Sequence, residues 1–166
     1  MENEFSITDD LYASKGKRFL NYLIDVVVIY VIILILFTVF AIIANLIGNE
    51  SFLFWLQNMT EIHGYLVFFG VMITYYVFME SIFSSTIGKF LTQTKVVLID
   101  GTKPSSQTII KRTFCRLIPF DGLSFLGTYA NGWHDSITGT FVVKKKLFQS
   151  RMELHNSFEE IGIIEE

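Results

Sequence analysis

Arg18-Phe19-Leu20-Asn21-Tyr22-Leu23-Ile24-Asp25 leads into residues 26–44, nineteen positions without a single charge. As a helix rising about 1.5 Å per residue, such a run is roughly 28 Å long, the thickness of a bilayer's hydrocarbon layer. It is too long and too evenly apolar to be one buried face of a soluble helix, so it reads as a transmembrane segment. Its polar beginning is unusual. Arg18 and Asp25 are seven residues apart and share a helix face, and an aspartate at the start of a span needs a partner or water.

The composition agrees with a membrane protein. The chain of 166 residues is 51% hydrophobic and 16% aromatic, with 17 Phe and only 2 Pro, which bounds it to one small domain. Its net charge of −3 hides a polarity. Residues 1–14 and 147–166 form acidic tails, while 15–146 carry 12 Lys/Arg against seven Asp/Glu. A basic body beside apolar spans points to anionic lipid headgroups as partners, and no basic-aromatic pattern suggests nucleic acid. Cys115 is the only cysteine, which excludes an intrachain disulfide and a thiolate metal site. The first apolar segment exceeds a signal-peptide core and lacks a small-x-small cleavage pattern, so it is expected to stay as an anchor.

A second apolar run extends from Gly64 to about Ile87, long enough to span. Lys15, Lys17 and Arg18 precede the first span, and Lys89, Lys95, Lys103, Lys111, Arg112 and Arg116 follow the second. The connection at 48–63 has no Lys or Arg, and carries Phe52, Leu53, Phe54 and Trp55 suited to an interface. Positive-inside bias therefore puts both termini in the cytoplasm and that connection outside. Residues 1–14 are expected to be mobile or loosely docked.

Beyond the spans the period changes. Lys95-Val96-Val97-Leu98-Ile99, closed by Asp100-Gly101, and Thr140-Phe141-Val142-Val143 are short β-type runs that can pair as a small cytoplasmic ribbon. Ser105 or Ser106 caps a helix to about Leu117, stopped by Pro119. Ile109, Ile110, Thr113, Phe114 and Leu117 fall on one face, with Lys111, Arg112, Cys115 and Arg116 largely on the other. That predicts an amphipathic helix in the inner interface, its basic side toward headgroups. Residues 117–130 are too broken by Pro119, Asp121, Gly122 and Gly127 to span, and are expected to dip into the inner leaflet or cover the helix pair. The segment from Leu147 is expected to be partly helical with a mobile acidic end. The expected fold is thus membrane all-α: a two-span helical hairpin, an interfacial amphipathic helix and a small cytoplasmic β ribbon.

Several residues invite chemistry. Glu80 and Asp25 lie at similar depth if the hairpin is antiparallel, with Arg18, Arg112 and Arg116 nearby. Such carboxylates can bind a cation or take up a proton, or they can form a structural ion-pair cluster; buried charges usually come paired. Thr86-Ile87-Gly88-Lys89 fails as a phosphate loop, lacking the earlier glycine and the following Ser/Thr. Gly88 is read as the C-cap of the second span, with Lys89 at the negative end of its dipole. In Gly132-Trp133-His134-Asp135, Trp133 suits an interfacial anchor and Asp135 a turn or cap, and one His-Asp pair is a weak metal signal. His63 and His155 stand alone. No nucleophile-base set presents itself, so neither an enzyme nor a cofactor is expected.

Taken in order, these pieces resemble the RDD family of prokaryotic membrane proteins, named for an arginine at the start of the first span and two aspartates, one within that span. Arg18 and Asp25 match the first part. The likeness continues through Glu80-Ser81, Thr86-Ile87-Gly88-Lys89, Val96-Val97 with Asp100-Gly101, Arg112, Arg116, His134-Asp135 and Thr140-Phe141-Val142-Val143. Asp135 is the better match for the second aspartate and Asp100 the other candidate. It covers about residues 10–146 and leaves out the tails; the short interval from Arg116 to His134 departs from relatives with room for a further hydrophobic segment. The resemblance implies the cytoplasmic (inner) membrane of a prokaryote and a role in transport, at most cation–proton exchange. Two spans cannot enclose a pathway, so transport implies a homo-oligomer or larger complex. The rival reading is a non-transporting accessory subunit or lipid-bound scaffold.

Overall fold

Ser14 starts the first long helix, its hydroxyl accepting the Lys17 N–H at 3.4 Å. The computed structural model describes residues 5–124 and 132–164. Helix α1, Lys15–Leu46, runs for 32 residues, about 48 Å at the helical rise. Arg18, Asn21, Asp25 and Ile29 are buried on it. Their three- and four-residue spacing is one stripe, so the polar residues near the start all point the same way. The rest of α1 is apolar and largely bare, as at Leu34 (67% exposed). A short helix α2, Glu50–Gln57, follows, capped by Asn49 accepting from Phe52 N–H. It turns the aromatic-rich connection expected as a loop into an amphipathic helix of about two turns.

Helix α3, Glu61–Phe83, returns beside α1. His63 is not idle: its ring Nδ1 pairs with the Thr60 hydroxyl at 2.8 Å and closes the helix N-terminus. Ile29 packs with Met72, Tyr75 and Tyr76 to join the two helices. Among the described residues, α1 and α3 are the two helices long and apolar enough to cross a membrane.

The end of α3 corrects the reading of Gly88. The helix stops at Phe83, with Ser84 left-handed (φ 52°) as its C-cap. A new helix α4, Ile87–Thr92, begins at Thr86, whose hydroxyl accepts the Lys89 N–H. The polar run Ser84-Ser85-Thr86 supplies a stop and a start within three residues, so Gly88 lies in the first turn of α4 and caps nothing.

Strands β1, Thr94–Leu98, and β2, Thr140–Lys144, pair antiparallel, Thr94 opposite Lys144 and Leu98 opposite Thr140. Val96 and Val142 face Ala13 on one side; Val97 and Val143 face Ile7, Leu11 and Phe148 on the other. Residues 5–14 are thus docked: Ile7 N–H donates to Ile99 C=O and Ala13 N–H to Val142 C=O, both at 2.9 Å. Ile7 and Leu11, four apart and flanked by acids, carry too little apolar content to reveal this in the sequence. Helix α5 is Ser106–Cys115, α6 Asp121–Ser124, α7 Trp133–Thr138 and α8 Lys145–Ile164. Part of the stretch expected to dip into the leaflet, 125–130, lies outside the described residues, as do residues 165 and 166 of the acidic end.

The buried side of helix α5 cuts across the two expected faces, taking Ile109 and Thr113 from the apolar one and Arg112 from the basic one. Ile109, Arg112 and Thr113 are buried, whereas Ile110, Phe114 and Lys111 are exposed. Arg112 goes inside because two carboxylates wait for it there.

Candidate functional site: a buried charge network

Asp135 and Glu80 are both fully buried, and arginines and a lysine from three helices surround them. Arg18 on α1 places Nη1 2.6 Å from Asp135 Oδ2. Arg112 on α5 reaches Asp135 Oδ1 with Nη2 at 2.6 Å and Nε at 3.1 Å, and turns Nη1 to Glu80 Oε2. Lys89 on α4 holds Glu80 Oε1 at 2.6 Å, and Arg116 approaches that oxygen at 3.4 Å while lying over the Tyr76 ring at 4.1 Å. Thr140 donates to Asp135 Oδ1 at 3.1 Å. Arg112 is thus a clamp whose planar fork serves both carboxylates, the geometry that makes arginine suited to buried pairs. Removing Arg112 takes a partner from both buried carboxylates at once, where a charge short of partners is costly.

Asp25 stands apart from this network although only α1 separates it from Arg18. Its acceptor oxygens take three hydrogen bonds: from the Tyr75 hydroxyl at 2.8 Å, the Thr86 hydroxyl at 2.7 Å and the Gly88 N–H at 2.9 Å. All three donors are neutral, and none of the ion pairs among the described residues includes Asp25. Gly88 is required here. A Cβ on it would sit 2.5 Å from the Asn21 carbonyl oxygen, so only glycine lets α4 approach α1 this closely. Asn21 completes the contact, its amide between the hydroxyls of Thr92 and Thr94. A cavity of about 30 Å³ lies between Asp25, Asn21, Lys89, Arg112 and Arg116, room for about one water molecule.

His134 extends the network sideways. Its Nδ1 is 2.6 Å from Asp121 Oδ2, its N–H donates to Asp121 Oδ1 at 2.9 Å, and its Nε2 lies 3.5 Å from Asp135. Burial and the neighbouring Arg116 lower His134 to about 4, so the ring is neutral at pH 7. Burial, with Arg112 and Arg116 close by, likewise brings Lys89 down to about 8 against the pull of Glu80. For Asp135, burial works upward, but Arg112 and Arg18 hold the carboxyl well below its ordinary range.

The residues singled out in the sequence divide clearly. Arg18, Glu80, Asp135 and Arg112 form the network, Arg116 edges it and Asp25 adjoins it. Lys111 points away, exposed. Asp100 serves only its own turn, accepting from the Thr102 N–H and hydroxyl, so Asp135 is the aspartate that meets Arg18. Asp135 is therefore no mere turn residue, while Trp133, 47% exposed, is free to anchor. Lys89, Tyr75, Thr86, Asn21 and Asp121 were not anticipated as partners. The Thr86–Lys89 tetrapeptide was the one available signal, and it serves an internal carboxylate instead of a phosphate. Among the described residues no three His, Cys, Asp or Glu side chains converge as a metal site.

A helical protein whose two apolar helices are long enough to cross a membrane, with ionised groups buried at one end of the pair, is a membrane protein by class. More particularly, the chain belongs to the RDD family: the family's model matches residues 12–149, which contain Arg18, Asp25, Glu80 and Asp135. Comparison with curated proteins and with solved structures finds no match.

Proposed function

We propose that this RDD protein is a membrane transport component that moves small cations in exchange for protons, with Asp25 as the group that changes charge. One observation supports it above the rest: Asp25 is buried, held only by neutral donors, and faces the small polar cavity. A carboxylate so placed can take up a proton or a cation without breaking an ion pair. Glu80, tied to Lys89, Arg112 and Arg116, is suited to a fixed role. In this reading α1 and α3 form a multi-pass hairpin in the cytoplasmic membrane of a prokaryote, both termini and the strand pair inside. Two helices enclose no pathway, so the working unit is a homo-oligomer or a larger complex. Anionic headgroups meet Lys111 on the outer side of α5, since Arg112 is buried.

The second reading, a non-transporting accessory subunit or lipid-bound scaffold, is favoured by the Arg112 clamp, which fastens α3, α5 and α7 together. Reconstituted vesicles separate the two. Asp25→Asn keeps shape and hydrogen bonding but cannot ionise. With a pH gradient imposed and Na⁺ or K⁺ added outside, wild type should move protons and the variant should not, at unchanged thermal stability. No cation-dependent proton movement in wild type, beside a destabilised variant, removes the transport reading for these cations.

A further inference from the structure

The polar cavity does not end blindly. Tyr22, Tyr76, Arg116 and Gly122 line it, and the same four line a larger apolar groove of about 460 Å³. That is within the range of about 300–1,000 Å³ typical of sites for small organic ligands. Its floor is Ile29 and Met72, buried where α1 meets α3; Val26 and Phe68 form its sides, and Phe120 and Leu123 its rim. From Tyr76 to Phe68 it follows α3 for eight residues, about 12 Å, away from the charged end of the helix pair. One end is therefore cationic and the remainder apolar.

The cation at that end has capacity to spare. The Arg116 Nε–H is buried and makes no hydrogen bond, and its Nη2 has only the 3.4 Å approach to Glu80. Nε and Nη are the pair of donors with which a guanidinium grips a phosphate. Lys89 and Arg112 beside it are drawn closely to Glu80, so Arg116 is where an incoming anion meets least competition. Asp121, the carboxylate in the groove wall, is turned away, engaged by the N–H and ring of His134.

From this we infer that the groove holds one anionic phospholipid, an acyl chain lying between α1 and α3 and the phosphate on Arg116. The inference rests on the placement of α1 and α3 in a membrane but not on transport. An amphiphile is the occupant whose charge and apolarity match both ends at once. The site is distinct from general attraction of headgroups to Lys111, since it binds one lipid in a defined place.

The full chain, purified in mild detergent and stripped of lipid, is titrated with dioleoyl phosphatidylglycerol or dioleoyl phosphatidylcholine and read by native mass spectrometry. Wild type should keep a single phosphatidylglycerol adduct at concentrations where phosphatidylcholine leaves none. Arg116→Gln should weaken that adduct about tenfold, the effect of losing one charged hydrogen-bonding partner. Val26→Trp fills the groove without touching the charge network, and should weaken it at unchanged thermal stability, which keeps the test decisive if Arg116→Gln fails to fold. Lys111→Gln, on the outer side of α5, should leave it unchanged. Equal retention of the two lipids, or phosphatidylglycerol binding that Val26→Trp does not alter, overturns the proposal. So does displacement by inorganic phosphate, which would mark a soluble anion's site, or a dimer in place of the adduct, which would mark a second copy of the chain. Membrane placement is checked separately by the labelling described below, so its failure is recognisable apart from this one.

Discussion

Arg18 and Asp135, 117 residues apart in the chain, meet at 2.6 Å with both side chains buried. The contact ties the start of α1 to the last turn before β2, and Arg112 links it onward to Glu80 on α3. Asp135→Asn leaves two arginines facing a neutral amide, which should cost about 3–5 kcal/mol. Asp100→Asn, at an exposed turn, should stay within about 0.5–1 kcal/mol. Thermal unfolding of both variants in detergent checks the difference. Equal losses would mean that Arg18 finds compensation elsewhere.

Three basic residues of one segment should rank by burial. Lys111 is exposed, so Lys111→Gln should be nearly neutral, a contact with anionic lipid being worth about 1 kcal/mol at most. Arg112→Gln strands Glu80 and Asp135 together and should cost the most, about 3–5 kcal/mol. Arg116→Gln, with its longer approach to Glu80, should lie between. Similar small losses for all three would mean that α5 turns its basic side to the lipid after all.

What the sequence revealed and concealed follows from which interactions are local. Residues 26–44 announce a span because no alternative tolerates so long an apolar run, and the valine pairs of β1 and β2 stand out between turn residues. The side of α5 that packs inward was hidden. Periodicity sorts α5 into an apolar and a basic face, yet Ile109 and Thr113 of the first pack inward beside Arg112 of the second, while Ile110 and Phe114 stay exposed. Asp25 was legible as a buried acid but not its donors, since Tyr75, Thr86 and Gly88 lie at least 50 residues away. Ser84, taking a left-handed conformation more usual for glycine, concealed the break between α3 and α4.

Gly88 tests the closeness of α4 to α1. In Gly88→Ala the new methyl must displace the Asn21 backbone or the Asp25 carboxylate, 3.0 Å from its position. Such overpacking costs about 1–3 kcal/mol. Gly64→Ala, with nothing within 4 Å, should instead stabilise α3 by up to about 1 kcal/mol. Opposite shifts in unfolding temperature are the expected result, and a neutral Gly88→Ala would mean the helices can part freely.

His134 should give the fold an acid limit. Burial and Arg116 bring it to about 4 from an ordinary 6.5, so the unfolded chain takes up the proton first as pH falls. Its contribution is complete above about pH 6.5 and is lost as pH falls through 4, on the order of 3 kcal/mol in all. His134→Gln retains a donor for Asp121 but cannot titrate. Its stability should therefore fall less steeply between pH 6.5 and 4, and parallel curves would assign the acid sensitivity to other groups.

Orientation is tested by single cysteines in a Cys115→Ser background, which removes the one native thiol. The six basic residues between α3 and residue 117, the three in the first turn of α1 and their absence from 48–63 favour both termini inside. Cysteines at Asn49 and Asn58, both exposed at the ends of α2, should react in intact cells with a membrane-impermeant maleimide. Those at Ser6 and Ser150, also exposed, should react only after the membrane is opened. Because both positions are exposed in the folded protein, protection of Ser6 or Ser150 in intact cells reports the membrane and not the fold. External labelling at Ser150 together with protection at Ser6 would require an odd number of crossings and defeat the two-span arrangement. External labelling at both, with Asn49 and Asn58 protected, would invert the hairpin and leave the charge asymmetry without its usual consequence.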